Sequence, residues 1–184
     1  MMTINGLSAG TSGRARALIV RPADLDGPDN AAVGRLVEAY LTQTELEKAA
    51  HLGPAGDANT HELPERYRDE VDDPRGAYAD SLVWVAESDG SLVGLVVVQQ
   101  GESVREIKRL WVDPGARGLR VGSALMDAAL SRRDRPIRLT VWDWRDGPVG
   151  LYRSRGFDLV ESWDDRPRLL CMQLAPRRPA DLDE

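Results

Sequence analysis

Cysteine occurs once in this chain of 184 residues, at Cys171, and histidine twice, at His51 and His61. No intramolecular disulfide can therefore form, and no Cys/His zinc set can be assembled. Long apolar runs are also missing. None approaches the roughly 20 residues of a membrane-spanning helix. The N-terminus, MMTINGLSAGTSGRARA, lacks the apolar segment of about 7–15 residues that a signal peptide needs. These absences predict a soluble cytoplasmic protein with no metal and no membrane partner. Surplus positive charge is lacking as well: 24 Lys and Arg stand against 30 Asp and Glu, giving a net charge of -6 and a pI near 5.1. Such a balance argues against a nucleic-acid partner, which needs a broad basic surface. It leaves room for a local basic pocket that takes one small polyanion.

What is present is enough for one core. The chain is 42% hydrophobic, and its length suits one domain. The reading is a flexible arm over 1–16, one domain over 17–176 and a loose tail over 177–184. Within the domain, ALIVR (17–21) reads as a strand. A long helix follows, with Val33, Leu36, Val37, Tyr40 and Leu41 on one stripe, Asp29 or Asn30 as its cap, and Gly53-Pro54 as its end. A short helix over about 62–72 turns Leu63, Tyr67 and Val71 inward, and 72–80 reads as a loop. Strands at 81–88 and 91–100 flank Asp89-Gly90, a two-residue hairpin signal. A third strand, 104–112, completes an antiparallel meander. A helix over 119–132 then leads to a strand at 137–144, and such a crossover implies parallel pairing. A short helix at about 147–154 stops at Gly156, and FDLVESW and LLCMQLA close the domain as strands. The fold class is mixed α/β (α+β): a mostly antiparallel sheet with one β–α–β crossover.

The chemistry gathers where the third strand of the meander meets the crossover helix, in VDPGARGLRVGSAL. Helix N-termini carry unpaired N–H groups and partial positive charge, and so attract phosphate. Gly118 tolerates positive φ, and Gly122 keeps the first turn bare. Arg117 and Arg120 add two permanent charges beside those amides. An ordinary strand-to-helix turn with solvated arginines would read the same way, because the glycine spacing alone is loose.

Together with LYRSRGF at 151–157 and EIKRLWVDPGARG before it, this stretch resembles the GNAT acyltransferase superfamily. The loop pattern of that family is Arg/Gln-x-x-Gly-x-Gly/Ala. Arg117 and Gly122 match it, whereas Arg120 stands at the middle glycine. The family often has Asn at the position of Arg145 and Ala at that of Pro148. The resemblance implies acetyl-CoA as co-substrate, no metal, and a sheet splayed between 104–112 and 137–144 with helices on both faces. It places the coenzyme on Trp111, Val112, Arg117, Gly118, Leu119, Arg120, Val121, Gly122 and Ser123. A backbone amide of Val112 or Trp111 would bond the thioester oxygen, and Tyr152 would protonate the departing thiolate. Glu106 is the candidate base, and serves equally as a cross-strand partner for Arg or Lys. Asp143 is the second candidate, and reads more simply as a strand-end surface carboxylate. Strand alternation puts Glu106, Lys108 and Leu110 on one face and Ile107, Arg109 and Trp111 on the other.

The implied function is N-acetyl transfer to a primary amine of a small molecule, by direct attack in a ternary complex. A non-catalytic acyl-CoA-binding module with a degenerate site is the alternative. The acceptor side is expected from the helical region 30–75 and the ends of the meander, with Trp142 and Asp143 as candidate residues. The carboxylates between 62 and 73 either attract a cationic amine or form a solvated helix face. His51 and His61 read as loop surface, Cys171 as buried filler. Exposed final strands and five tryptophans suggest a homodimer.

Overall fold

The computed structural model describes residues 17–53 and 63–177. The arm over 1–16, most of the tail, Pro54, His61 and Glu62 lie outside the described residues. Seven strands form one sheet in the order β1-β2-β3-β4-β5-β7-β6. They are β1 (Leu18–Pro22), β2 (Ser81–Ser88), β3 (Ser91–Gln100), β4 (Arg105–Val112), β5 (Ile137–Trp142), β6 (Asp158–Leu159) and β7 (Leu169–Leu174). Every neighbouring pair is antiparallel except β4 with β5. That parallel pair is joined through α4 (Val121–Ala129), as a crossover requires. The β2–β3 hairpin turns on Asp89 at φ 52° and Gly90 at φ 75°, the two left-handed residues of a type I′ turn.

Alternation along β3 divides the core between the two faces of the sheet. Val96 and Val98 join Leu125 and Met126 of α4 and Val149 of α5 (Asp146–Ser154) on one face. Leu95 and Val97 join Val33, Val37 and Leu41 of α1 (Asp29–Leu52) on the other. Each fully buried side chain of this size is worth roughly 1.5–3 kcal/mol. Gly94 lets α4 press onto the sheet: a Cβ there would lie 2.8 Å from Trp111 O and 3.1 Å from Leu125 Cδ1. The close seat places the start of α4 beside the end of β4.

Two irregularities in β4 shape the site. First, Val97 pairs with Arg109 and Val98 with Ile107, which leaves Lys108 as an extra residue. This bulge reverses the alternation. Ile107 packs with the α4 core and Trp111 with the α1 core, so regular alternation fails across Lys108. Second, β4 and β5 pair only at Arg105↔Ile137, Glu106↔Arg138 and Ile107↔Leu139. Beyond these three rungs β4 stays with β3 as far as Val112, and β5 stays with β7 as far as Trp142. The strands part, and a gap opens between them.

Several local expectations are corrected. Pro28, not Asp29 or Asn30, occupies the N-cap of α1, and no side chain caps it. The Asp29 carboxylate instead accepts from Arg21 at 2.6 and 3.1 Å and from the Asp24 N–H at 2.8 Å. The crossover helix starts at Val121 rather than 119, because Arg120 is left-handed. Residues 72–80 contain a one-turn helix, α3 (Pro74–Ala77), capped by Asp73 through the Gly76 N–H. The short helix before it is a 3₁₀ turn, Glu65–Tyr67, followed by α2 (Arg68–Asp72). Leu63, Tyr67 and Val71 pack inward as expected. Strand β6 has only two residues, since Ser162 turns the chain by bonding Asp164. Trp163 consequently lies outside a strand, and so does Trp144, because β5 ends at Trp142 rather than 144.

Candidate active site

A cleft of about 1080 Å³ occupies the gap between β4 and β5. Helix α1 borders it on one side, and the first turns of α4 and α5 border its mouth. Its walls carry eight Lys or Arg side chains and four Asp or Glu, on a chain whose net charge is -6. The basic pocket is therefore local.

The mouth is built by the loop after β4. Arg117 lies over the Trp111 ring at 4.9 Å, donates to Val112 O at 3.2 Å and reaches Gln43 of α1 at 3.0 Å. Gly118 has φ 80°. Arg120, at φ 62° and ψ 13°, is the N-cap of α4. That conformation costs an L-residue roughly 1–2 kcal/mol, which explains why glycine suits the position. No carboxylate pairs with its guanidinium among the described residues. The first intrahelical bond runs from the Ala124 N–H to Arg120 O at 3.0 Å. The amides of Val121, Gly122 and Ser123 are thus the unpaired donors of a helix start. A Cβ on Gly122 would meet only Val112 and Leu151 side chains, at ordinary distances of 3.6 and 3.7 Å. Leu119 shapes the turn through its backbone; its side chain is exposed and not part of the cleft wall.

Deeper in, β4 offers its free edge. The Asp113 N–H donates to Val93 O at 2.9 Å, so alternate amides along β4 face β3. By the same alternation the Val112 N–H faces the gap and that of Trp111 does not. Trp111 contributes its indole to the wall instead.

Tyr152, on α5, lines the same space. It is 6% exposed, and its ring leans on Phe157 at 5.9 Å. Among the described residues its hydroxyl has no protein hydrogen-bond partner. Burial, reinforced by nearby Tyr40, pushes the phenol well above its ordinary value, so it stays protonated. Glu106 also lines the cleft. Its Oε1 accepts from Lys108 at 2.6 Å and its Oε2 from Arg138 at 2.9 Å. The cross-strand role foreseen for it is thus present. Asp143 is a correction: its carboxylate is held by Arg168 at 3.1 and 3.2 Å and takes no part in the cleft wall. The chain turns at that residue, which sets it apart from the two tryptophans flanking it.

Trp142 does line the cleft, stacked on Trp144 at 4.7 Å and 10°. His51 stacks on Trp144 at 4.5 Å and 13°. His51 belongs to the last turn of α1 rather than to a loop. Arg145 donates to Glu47 at 2.6 Å and to Thr44 at 2.9 Å, with the Trp144 indole N–H also on Glu47 at 3.2 Å. Burial works to raise the Glu47 carboxyl, but hydrogen bonds from Gln43, then Arg145 and Trp144, hold it below the usual carboxylate range. The sequence points to the helical region 30–75 for the acceptor side without singling out Thr44, Glu47 or His51. Thr44, Glu47 and His51 continue the stripe from Tyr40 at helical spacing, and that continuation was the available signal. Of the carboxylates between 63 and 73, Glu70 is occupied by Arg109 and Tyr78, and Glu65 pairs with Arg68. None of them lines the cleft. Cys171 is buried, as expected.

Three comparisons bear on this geometry. Residues 79–159 match the family model described as "Acetyltransferase (GNAT) domain". The peptidyl-lysine N-acetyltransferase YiaC of Escherichia coli is 31% identical over 105 residues, spanning 56% of this chain and 69% of that protein. Among solved structures, an acetyltransferase of the GNAT family from Staphylococcus aureus superposes with TM-score 0.60 at 13% identity, covering 85% of this chain and 98% of that one. The PaiA N-acetyltransferase of Thermoplasma acidophilum, solved with coenzyme A, gives 0.61 at 16%, covering 88% and 99%. A parted β4–β5 pair, a helix start at its mouth and relatives of this kind lead to one conclusion: the chain belongs to the GNAT superfamily of N-acetyltransferases.

Proposed function

We propose that the protein transfers an acetyl group from acetyl-CoA to the primary amine of a small molecule, by direct attack in a ternary complex. The observation that carries this reading is the coincidence of three features in one cleft. These are the unpaired amides at the start of α4, the gap-facing Val112 N–H and the buried Tyr152 hydroxyl. The diphosphate of the coenzyme rests on Val121, Gly122 and Ser123, with Arg120 and Arg117 beside it, and Gly118 permits the turn. The pantetheine arm lies between the parted strands. The Val112 amide donates to the thioester oxygen and stabilises the charge that develops there.

The amine nitrogen then attacks the acyl carbon, and the carbon–sulfur bond breaks. Tyr152 gives its proton to the leaving thiolate, and the proton released by the amine passes to Glu106 through water. A carboxylate offers about four lone-pair sites. Arg138 and Lys108 leave one of these on Glu106 Oε1 open. A module that only binds acyl-CoA would need no protonated phenol beside the gap. A second reading, acetylation of a peptide lysine, is favoured by the resemblance to YiaC, a peptidyl-lysine N-acetyltransferase.

The test pairs calorimetry with turnover. Acetyl-CoA should bind, and thiol should be released with small amines faster than with lysine peptides. Tyr152→Phe should keep the affinity for CoA and lower kcat by about 10²–10⁴-fold, the usual share of an acid. Unchanged turnover would remove the acid role.

A further inference from the structure

Three side chains from the two parting strands form an alternating charge cluster on the cleft wall. Glu106 of β4 is shared by Lys108 at 2.6 Å and by Arg138 of β5 at 2.9 Å. One carboxylate between two cations leaves one net positive charge. The carboxylate is sheltered, with its side chain 13% exposed, whereas Lys108 and Arg138 are 42% and 36% exposed. Each cation thus keeps a free face. The Arg138 guanidinium lies 5.1 Å from the ring of Trp163, which is itself 39% exposed. Neighbouring cations add nothing net: Arg166 is closed on Asp164, and Arg109 on Glu70.

We infer that the acceptor is a free α-amino acid, a primary amine with a carboxylate on the adjacent carbon. The inference rests on the acyl-transfer reading and names the substrate class of that site. The carboxylate docks on the open faces of Arg138 and Lys108, where a charge-assisted pair forms. Its amine, one carbon away, then falls beside Glu106, the group that takes its proton. The rest of the molecule lies along Trp163. The plus–minus–plus order of Lys108, Glu106 and Arg138 complements a zwitterion whose two charges are neighbours. A polyamine or a lysine side chain brings only positive charge to a wall that already has a surplus. Of the other carboxylates in the cleft wall, Glu47 is paired with Arg145 and Asp164 with Arg166, which leaves Asp146, at the start of α5, as the one without an ion pair among the described residues. A peptide N-terminus carries an amide where the carboxylate is required.

The experiment compares phenylalanine with phenylalanine amide as acceptors, with acetyl-CoA affinity measured in parallel. The free acid should have a kcat/KM about 10–100-fold higher, expressed mainly in KM, the scale of a charged hydrogen bond. Arg138→Gln should bring the ratio close to one, and Lys108→Gln, a milder change at a bulge, should lower it in the same direction. An amide acetylated as well as the acid overturns the inference, and so does a ratio that survives both substitutions. So does bound acetyl-CoA with turnover confined to amines that lack a carboxylate, or with no turnover on any amine. If acetyl-CoA itself fails to bind, the acyl-transfer reading falls and takes the inference with it.

Discussion

At the scale of single residues, the mouth of the cleft spends stability in two places. Arg120 holds a left-handed backbone that favours glycine, and Gly122 sits in the first turn of a helix where alanine would be better by up to about 1 kcal/mol. The protein leaves ordinary room for a Cβ at Gly122, so no neighbour in the fold demands the glycine. Gly122→Ala is therefore expected to raise stability by roughly 0.5–1 kcal/mol in denaturant unfolding. It should weaken CoA binding at the same time, because the methyl stands between the ligand and the amides. A variant that is stabilised and binds CoA unchanged would refute the second half. The positive φ of Gly118 was legible in sequence, since glycine acts locally, whereas the left-handed backbone of Arg120 was not. Which way Asp143 faces was not legible for the opposite reason: its carboxylate is held by Arg168, which is distant in sequence.

At the scale of elements, α1 is fixed at both ends by charge. Near its start the Arg21 guanidinium holds Asp29 below the ordinary carboxylate range, against a smaller opposing effect of burial. The folded value is depressed, so the stabilisation is fully present above the unfolded value near 3.9 and is lost as pH falls through the folded one. Asp29→Asn should cost about 1.5–3 kcal/mol at pH 7, the worth of charged hydrogen bonds. The difference from the parent chain should shrink steadily as the solution is acidified below pH 4. A gap that stays constant into that range would show the ion pair to be idle. Toward its other end, α1 carries Thr44, Glu47 and His51 onto the cleft; the sequence points to this helical region for the acceptor side, but polar residues that continue a stripe carry no hydrophobic mark. The meander was readable because its hairpin is coded by two adjacent residues. The Lys108 bulge was not, since one added residue leaves periodicity almost intact on either side while exchanging the faces.

For the whole molecule, the decisive contrast is between a net charge of -6 and a cleft wall where basic side chains outnumber acidic ones. If overall charge governed encounter with a polyanionic coenzyme, added salt would strengthen binding. If the cleft governs it, salt weakens binding, because at 0.1 M the attraction between exposed charges decays over about 10 Å. The expected result is a Kd for CoA that rises several-fold between low and physiological ionic strength. Arg120→Gln should flatten that dependence, and calorimetry at three salt concentrations would read both. Composition alone foretold the acidic surface and permitted the basic pocket, but only the folded arrangement shows how Arg109, Arg138 and Arg145 converge. The three rungs that join β4 to β5 carry a mechanical implication. Two plates of sheet meet at a narrow neck, and a thread bearing its own amides, laid in the opening, would brace them like a temporary eighth strand. Stiffness would then come with the guest, and the protein would slacken each time a spent thiol slipped out.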